Sequence, residues 1–166
     1  MEVRKIKVVK VVEEVELKEI KEIDKEISVG SWSDQNWSSI NLNANYQLFV
    51  LEDPSLDHNH NQVKSKIVGF ALFLESKEER LVHLLKIAIR GELQTKGLGT
   101  KLLKSTIDYY MNEDERDGKF DKIYLEVETE NKEAILLYKK FNFKTLHKCN
   151  HFYGTNIHAY KMLLTR

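Results

Sequence analysis

The sequence predicts a single α/β (α+β) domain with a mixed sheet of about seven strands and about four helices, and three observations carry that prediction. Stretches of near-alternating apolar residues take turns with stretches whose apolar residues recur every three or four positions. One such succession, strand, glycine-bearing turn, helix and strand, has the form of a crossover between two parallel strands. Finally, 166 residues with 42% hydrophobic content suit one ordinary domain with a proper core.

Val3 to Val12 mixes β-branched residues with lysines and reads as a first strand. From Val15 to Ile27 the period changes, because Leu17, Ile20, Ile23 and Ile27 recur at helical spacing between charges. Gly30 and its neighbouring serines end that helix, and Ser33 before Asp34 is an N-cap for a short second helix to about Leu42. Tyr46 to Leu51 and Lys66 to Leu74 form a hairpin, joined by the polar segment Glu52 to Ser65 that holds the only proline, Pro54. His58 and His60 in that segment sit among asparagines with no cysteine nearby, so a solvated loop is expected there, and no metal site. Arg80 to Ile89 is a longer apolar strand. After it, Leu98, Leu102, Leu103, Thr106, Ile107 and Tyr110 hold the helical period, and Asp121 to Glu128 is the next strand. Asn131 to Phe141 is a fourth helix with Ala134, Leu137, Tyr138 and Phe141 on one stripe, closed by Asn142, which tolerates a left-handed backbone. Phe143 to His147 and Ile157 to Leu164 close the sheet, with a loop carrying His151, Phe152 and Tyr153 between them.

Lys+Arg 26 and Asp+Glu 26 cancel to a net charge of 0, with both signs interleaved along the chain. A nucleic-acid binder needs a basic surplus or a concentrated basic face, so no such partner is expected. Cys149 is the only cysteine, which excludes an intrachain disulfide and fits a reducing compartment. The first residues, MEVRKIKVVKVVEEVELKEIKEID, lack the unbroken apolar run of a signal peptide or membrane span. The expectation is a cytoplasmic monomer or homodimer without a membrane partner, residues 1–166 forming one domain.

The turn Gln94-Thr95-Lys96-Gly97-Leu98-Gly99-Thr100 carries the most chemistry. Its glycines remove Cβ atoms where a ligand must approach the backbone, and a helix start offers unpartnered N–H groups and the positive end of the dipole. With Lys96 and Lys101 beside it, the turn suits a pyrophosphate. An ordinary helix start with two glycines would look the same on spacing alone.

Q-T-K-G-L-G is similar to the Gln/Arg-x-x-Gly-x-Gly/Ala signature of the GNAT superfamily of acetyl-CoA-dependent N-acetyltransferases. L-L-K-I-A-I resembles that family's fourth strand, and L-E-V-E-T-E-N-K-E-A-I-L-L-Y-K-K-F-N-F resembles its LEV-x-x-x-N-x-x-A-x-x-LY-x-x-x-GF segment. W-S-D-Q-N-W, residues 32 to 37, resembles a loop of the ribosomal-protein alanine N-acetyltransferases, the RimI type. The chain departs from the family at Arg90-Gly91, where His-Pro is usual, and at Asn142, where Gly is usual.

The resemblance implies a sheet whose two parallel central strands splay to admit acetyl-CoA as co-substrate, without a metal. It places Gln94, Thr95, Lys96, Gly97, Leu98, Gly99 and Thr100 on the pyrophosphate, the backbone of Ile87, Ala88 and Ile89 on the pantetheine and thioester, and Asn131 near the pantetheine arm. It implies transfer of an acetyl group to an amine, foremost a protein N-terminus. Acceptors such as a small amine or a lysine side chain, or a non-catalytic acyl-CoA sensor, stay open. Glu126 interrupts the apolar strand Ile123 to Val127 and is the candidate base, although Tyr124 and Glu128 share its polar face. Tyr138 is the candidate acid toward the thiolate, although it lies on an apolar stripe. Trp32, Phe152 and Tyr153 are expected to clamp the acceptor, with the Tyr153 hydroxyl free to bond its backbone.

Overall fold

Period-2 and helical patterning become strands and helices much as the sequence predicts in the computed structural model, which describes residues 5–9, 12–27, 29–53, 66–111 and 120–166. In chain order the elements are β1 (Lys5–Val9), α1 (Glu14–Lys25), α2 (Asp34–Ser38), β2 (Tyr46–Asp53), β3 (Lys66–Ser76), β4 (Leu81–Ile89), α3 (Leu98–Met111), β5 (Lys122–Glu128), α4 (Lys132–Lys140), β6 (Lys144–Gly154) and β7 (Ile157–Thr165). Short 3₁₀ turns occupy Ile40–Leu42 and Gly91–Leu93. The strand order is β1-β2-β3-β4-β5-β7-β6, and α3 connects the parallel pair β4 and β5 as expected. His58, His60 and Pro54 lie outside the described residues.

The chain packs as two units, the first comprising the stretches up to Leu72 and Lys86–Thr106, the second Phe73–Leu85 and Ile107–Arg166. In the first, β1 runs antiparallel to β2 with Ile6 opposite Leu51 and Val8 opposite Phe49. Leu48 to Leu51 and Ile67 to Leu72 are buried without alternation, as strands covered on both faces are. Ile20 and Ile23 of α1, Trp37 of α2 and Leu102 and Leu103 of α3 supply further core, and Trp37 meets the Phe70 ring edge-on at 5.5 Å. The starts of α1 and α2 are capped locally. Glu16 accepts from the Glu13 N–H at 3.1 Å, and the Ser33 hydroxyl accepts from the Asn36 N–H at 3.3 Å, as its predicted N-cap role requires.

In the second unit, Leu81 to Leu84 of β4 pair in parallel with Lys122 to Leu125 of β5. The ladder ends there, although β4 continues to Ile89 and β5 to Glu128. On its other side β5 is antiparallel to β7 along its whole length, from Lys122 opposite Thr165 to Glu128 opposite Ala159. Ile123, Leu125 and Val127 are buried, so Tyr124, Glu126 and Glu128 share the opposite, half-buried face. Tyr110 packs between Phe73 and Phe120, at 5.0 and 5.5 Å between ring centres. Asn142 ends α4 at φ 66, the left-handed residue that the sequence suggests.

The end of the sheet departs from expectation. Instead of stopping at His147, β6 continues to Gly154, and the connection to β7 shrinks to Thr155 and Asn156. Register shifts between Thr145 and His147 and between Cys149 and Gly154 accommodate the extra residues. Imidazole nitrogens stand in for ladder partners. The His151 N–H donates to His158 Nδ1 at 3.0 Å and the Asn156 N–H to His151 Nδ1 at 2.9 Å.

Gly69 in β3 is required by packing. A Cβ there would lie 2.4 Å from Ile89 Cδ1 and 2.9 Å from the Ala88 carbonyl oxygen. Gly69→Ala must therefore displace β4 backbone, and overpacking of this kind costs about 1–3 kcal/mol. A melting temperature lowered by several degrees in calorimetry is the expected outcome. An unchanged melting temperature would mean that β4 yields freely at Ala88.

Candidate active site

The residues nominated for the cofactor, Asn131 excepted, lie on the first unit, where β4 and the turn after it lose regularity. Val82, Leu84 and Lys86 are buried in alternation, but Ile87 and Ala88 are both half-buried and Ile89 returns to the core one residue out of phase. A slip of one residue is the mark of a β-bulge, which releases backbone groups from the ladder. Order resumes at Arg90, whose N–H donates to the Val68 carbonyl at 2.9 Å. Gln94, expected on a ligand, instead donates from Nε2 to the Ile89 carbonyl at 3.0 Å and so ties the turn to the strand.

Past Gln94 the backbone is strained. Thr95 has φ 62 and Gly97 φ 75, and a β-branched residue at positive φ is a true outlier. Such strain concentrates at ligand clamps. No atom lies within 4 Å of where a Gly97 Cβ would be, so the glycine serves backbone conformation and leaves open space. Lys101 donates its N–H to Gly97 at 3.0 Å, which leaves the N–H groups of Leu98, Gly99 and Thr100 ahead of the helical ladder. The first turn of α3 carries no acidic residue. This cradle fits a pyrophosphate.

The titratable cluster belongs to the second unit and centres on Glu126. One carboxylate oxygen lies 2.6 Å from His83 Nε2, and the other accepts from the Tyr124 hydroxyl at 2.7 Å. Burial alone would raise the Glu126 pKa. The hydrogen bonds from His83 and Tyr124 and the charges of His83 and Lys161 outweigh it and hold the carboxyl below its ordinary value. Whenever His83 is in its neutral form, the ionised Glu126 fixes its tautomer, because Nε2 then carries the proton it donates and Nδ1 keeps its lone pair. Lys161, opposite Glu126 in the register, holds its ammonium 5.7 Å from the Tyr124 ring centre. Burial and the same carboxylate raise Tyr124 far above the usual phenol value.

Tyr153 enters this cluster through its hydroxyl, which was expected to be free for an acceptor but donates to the Glu126 carbonyl at 3.3 Å. Burial and the nearby carboxylates of Glu126 and Glu128 push its pKa up to about 12. Phe152, edge-on to Tyr153 at 4.8 Å, is 44% exposed. Tyr138 is buried against Phe143, with ring centres 5.6 Å apart, and burial, aided by Tyr153, raises its pKa well above 10. Asn131 caps α4 by accepting from the Ala134 N–H at 3.1 Å. Trp32 lies in the first unit, where it packs on Trp37 and Tyr46.

Sequence reasoning passed over His83. The available signal was a histidine interrupting the apolar run LVHLLKIAI just as Glu126 interrupts the next strand, but only the β4–β5 register brings the two together.

Comparison with known proteins decides the lineage: the profile of the Acetyltransferase (GNAT) family matches residues 17–143. The chain belongs to the GNAT family. This GNAT chain is 36% identical over 80 residues to an N-alpha-acetyltransferase of Saccharolobus solfataricus, 48% of this chain and 46% of that protein. It is 31% identical over 78 residues to N-alpha-acetyltransferase 50 of Danio rerio, 47% of this chain and 44% of that protein. The matched stretch spans about half the length of these relatives. Its fold is that of the ribosomal-protein-S18-alanine N-acetyltransferase from Escherichia coli, with TM-score 0.75 at 24% identity over 97% of this chain and 94% of that one. Arabidopsis thaliana NAA60, solved in complex with acetyl-CoA, is similar with TM-score 0.77 at 17% identity over 97% and 98% of the two chains. Among the described residues no helix is long and apolar enough to cross a membrane, and no three His, Cys, Asp or Glu side chains gather as metal ligands would.

Because the folded pKa of Glu126 is depressed, its ionised form adds stability above the ordinary carboxyl pKa of about 4.3 and loses that contribution as pH falls through the lower folded value. The stability gap between wild type and Glu126→Gln in denaturant titrations is therefore expected to be full at neutral pH and to close below about pH 4. A gap independent of pH would show that Glu126 is held by packing alone.

Proposed function

We propose that this GNAT chain, as one cytoplasmic domain over residues 1–166, transfers an acetyl group from acetyl-CoA to the N-terminal α-amine of a protein or peptide in a ternary complex. The observation that carries the chemical part is the Glu126 carboxylate held between His83 and Tyr124. The N-alpha-acetyltransferase names of its relatives support the choice of acceptor.

The chemistry asks for a proton acceptor, since only a neutral amine attacks and an α-amine titrates near 7.7–8.0. The sequence offers Glu126, and the geometry supports sharing that role with His83. A depressed carboxyl is a poor base by itself, but it orients the imidazole and stabilises the imidazolium that forms when Nδ1 takes the proton, directly or through water. The amine nitrogen bonds to the thioester carbon, the carbon–sulfur bond breaks, and the departing thiolate needs a proton. Tyr138, kept protonated by its raised pKa, is the proposed donor. Acetyl-CoA would lie along the backbone of Ile87 to Ile89, with its pyrophosphate on the Thr95 to Thr100 cradle and its pantetheine passing Asn131. Trp32, Phe152 and Tyr153 are the proposed acceptor contacts, and Tyr153 then orders the Glu126 strand from within.

Three measurements test this reading. Glu126→Gln and His83→Gln are each expected to lower turnover by roughly 10²–10⁴, the usual scale of general-base catalysis, with part of the loss regained at alkaline pH where the amine is neutral unaided. Nearly full activity at neutral pH in both variants would remove the pair from the mechanism. Gly97→Val is expected to abolish acetyl-CoA binding in calorimetry, because the side chain fills the open cradle and resists φ 75; unchanged affinity would remove the turn from the donor site. Release of free thiol, assayed across N-terminal peptides, free amino acids, lysine peptides and polyamines, is expected to be fastest with the peptides. A polyamine as best substrate would replace the acceptor assignment and leave the family intact.

A further inference from the structure

Lys86 is a buried cation that the proposed chemistry does not use. It takes a core position in β4, immediately before the irregular pair Ile87 and Ala88. Its ammonium lies 2.8 Å from Asp24 Oδ1, with side-chain exposures of 5% and 1%, and also donates to the Gly30 carbonyl. Asp24, on α1, turns its second oxygen to the same stretch of chain: Oδ2 accepts from the Trp32 backbone N–H at 2.7 Å and from the Trp37 indole N–H at 2.9 Å. The ammonium also stands 5.6 Å from the centre of the Trp32 ring, which itself leans on Trp37 at 5.2 Å.

An apolar pair of the same volume would hold α1 against β4 as well as this one does, since buried ion pairs recover little beyond their own desolvation. The polar pair adds directed bonds to the loop between α1 and α2. Gly30, at φ 78, presents its carbonyl to the ammonium, and Trp32 presents its N–H to the carboxylate. Two points two residues apart are thereby tied to one buried pair that joins α1 to β4. Loops of this length otherwise carry few constraints and move readily.

We propose that Lys86 and Asp24 are a buried positioning pair that fixes the Gly30–Trp32 segment and, through Trp32, sets the acceptor side of the site against the strand that receives the thioester. The kinetic consequence rests on the acetyl-transfer reading; the structural one does not.

The test uses Lys86→Met, which keeps the stem and removes the charge. Because that change leaves Asp24 buried without its cation, Asp24→Asn/Lys86→Met is made alongside it, with no buried charge and an amide oxygen for the tryptophan donors. Trp32 and Trp37 are the two tryptophans of the chain, so their emission reads this cluster alone. In the ligand-free protein the expected result is a red-shifted emission and chymotryptic cleavage at Trp32 faster by about tenfold, with far-UV circular dichroism unchanged in the double variant. In kinetics the KM for an acceptor peptide is expected to rise about tenfold while the KM for acetyl-CoA stays within about twofold. Unchanged emission and cleavage in the folded double variant would overturn the proposal, as would donor and acceptor KM values rising together. A wild-type protein inactive toward every acceptor would overturn the transfer reading alone, and emission and cleavage would then decide the positioning pair.

Discussion

Parallel pairing sets His83 opposite Tyr124, and because side chains in a strand repeat every two residues, Glu126 rises on the same face as Tyr124 and within reach of the imidazole. The candidate chemistry depends on that register. A slip of one residue would turn Glu126 into the core held by Ile123, Leu125 and Val127, and would bring apolar side chains up in its place. Apolar burial on one face therefore selects the register that the other face needs. The strand starts reinforce it, for Arg80 bonds both Asp121 carboxylate oxygens, at 2.6 and 2.7 Å, and the Asp121 N–H returns to the Arg80 carbonyl at 2.9 Å. At the exposed edge the bidentate pair contributes little energy, but its geometry admits a single alignment.

The turn proposed to hold the donor is built on a different principle, with backbone doing what side chains do around Glu126. Gly69 lets Ile89 and the Ala88 carbonyl approach β3, Gln94 holds the end of the strand, and Thr95 and Gly97 turn the chain through left-handed conformations into the first free N–H groups of α3. Strain at Thr95 survives only because both flanks are fixed, by Leu93 in the core on one side and Leu98 on the other.

What the sequence revealed follows from this difference. The glycine turn that opens α3 was legible because glycine spacing and a helix start are local, and so were the elements, since periodicity and capping residues such as Ser33, Asn131 and Asn142 act within a few positions. His83 was not legible as a partner of Glu126, because 43 positions separate them and only the register joins them. The Lys86–Asp24 pair was hidden for the same reason: a lysine in LVHLLKIAI looks like a surface interruption until α1 supplies its carboxylate from 62 positions away. The extension of β6 escaped notice because imidazole nitrogens accept the His151 N–H in the strand and the Asn156 N–H in the turn, a substitution that no residue pattern announces.

Helix α1 explains one departure from the family pattern. Its acidic residues serve as acceptors for N–H groups that strands leave open: Glu19 takes the Ile67 N–H at 2.8 Å at the start of β3, and Glu26 takes the Gly91 N–H just past the end of β4. Where the family usually has His-Pro, a proline at position 91 would have no N–H to donate. Glycine also leaves room, since a Cβ there would stand 2.9 Å from the Glu26 carboxylate. Arg90 completes the junction by donating to the Ile67 carbonyl at 3.2 Å, with the carboxylates of Glu19 and Glu22 each 3.9 Å away. Rigidity that proline would supply by its ring is supplied here by a helix, so the path from β4 into the strained turn is held by α1, the same helix that carries Asp24.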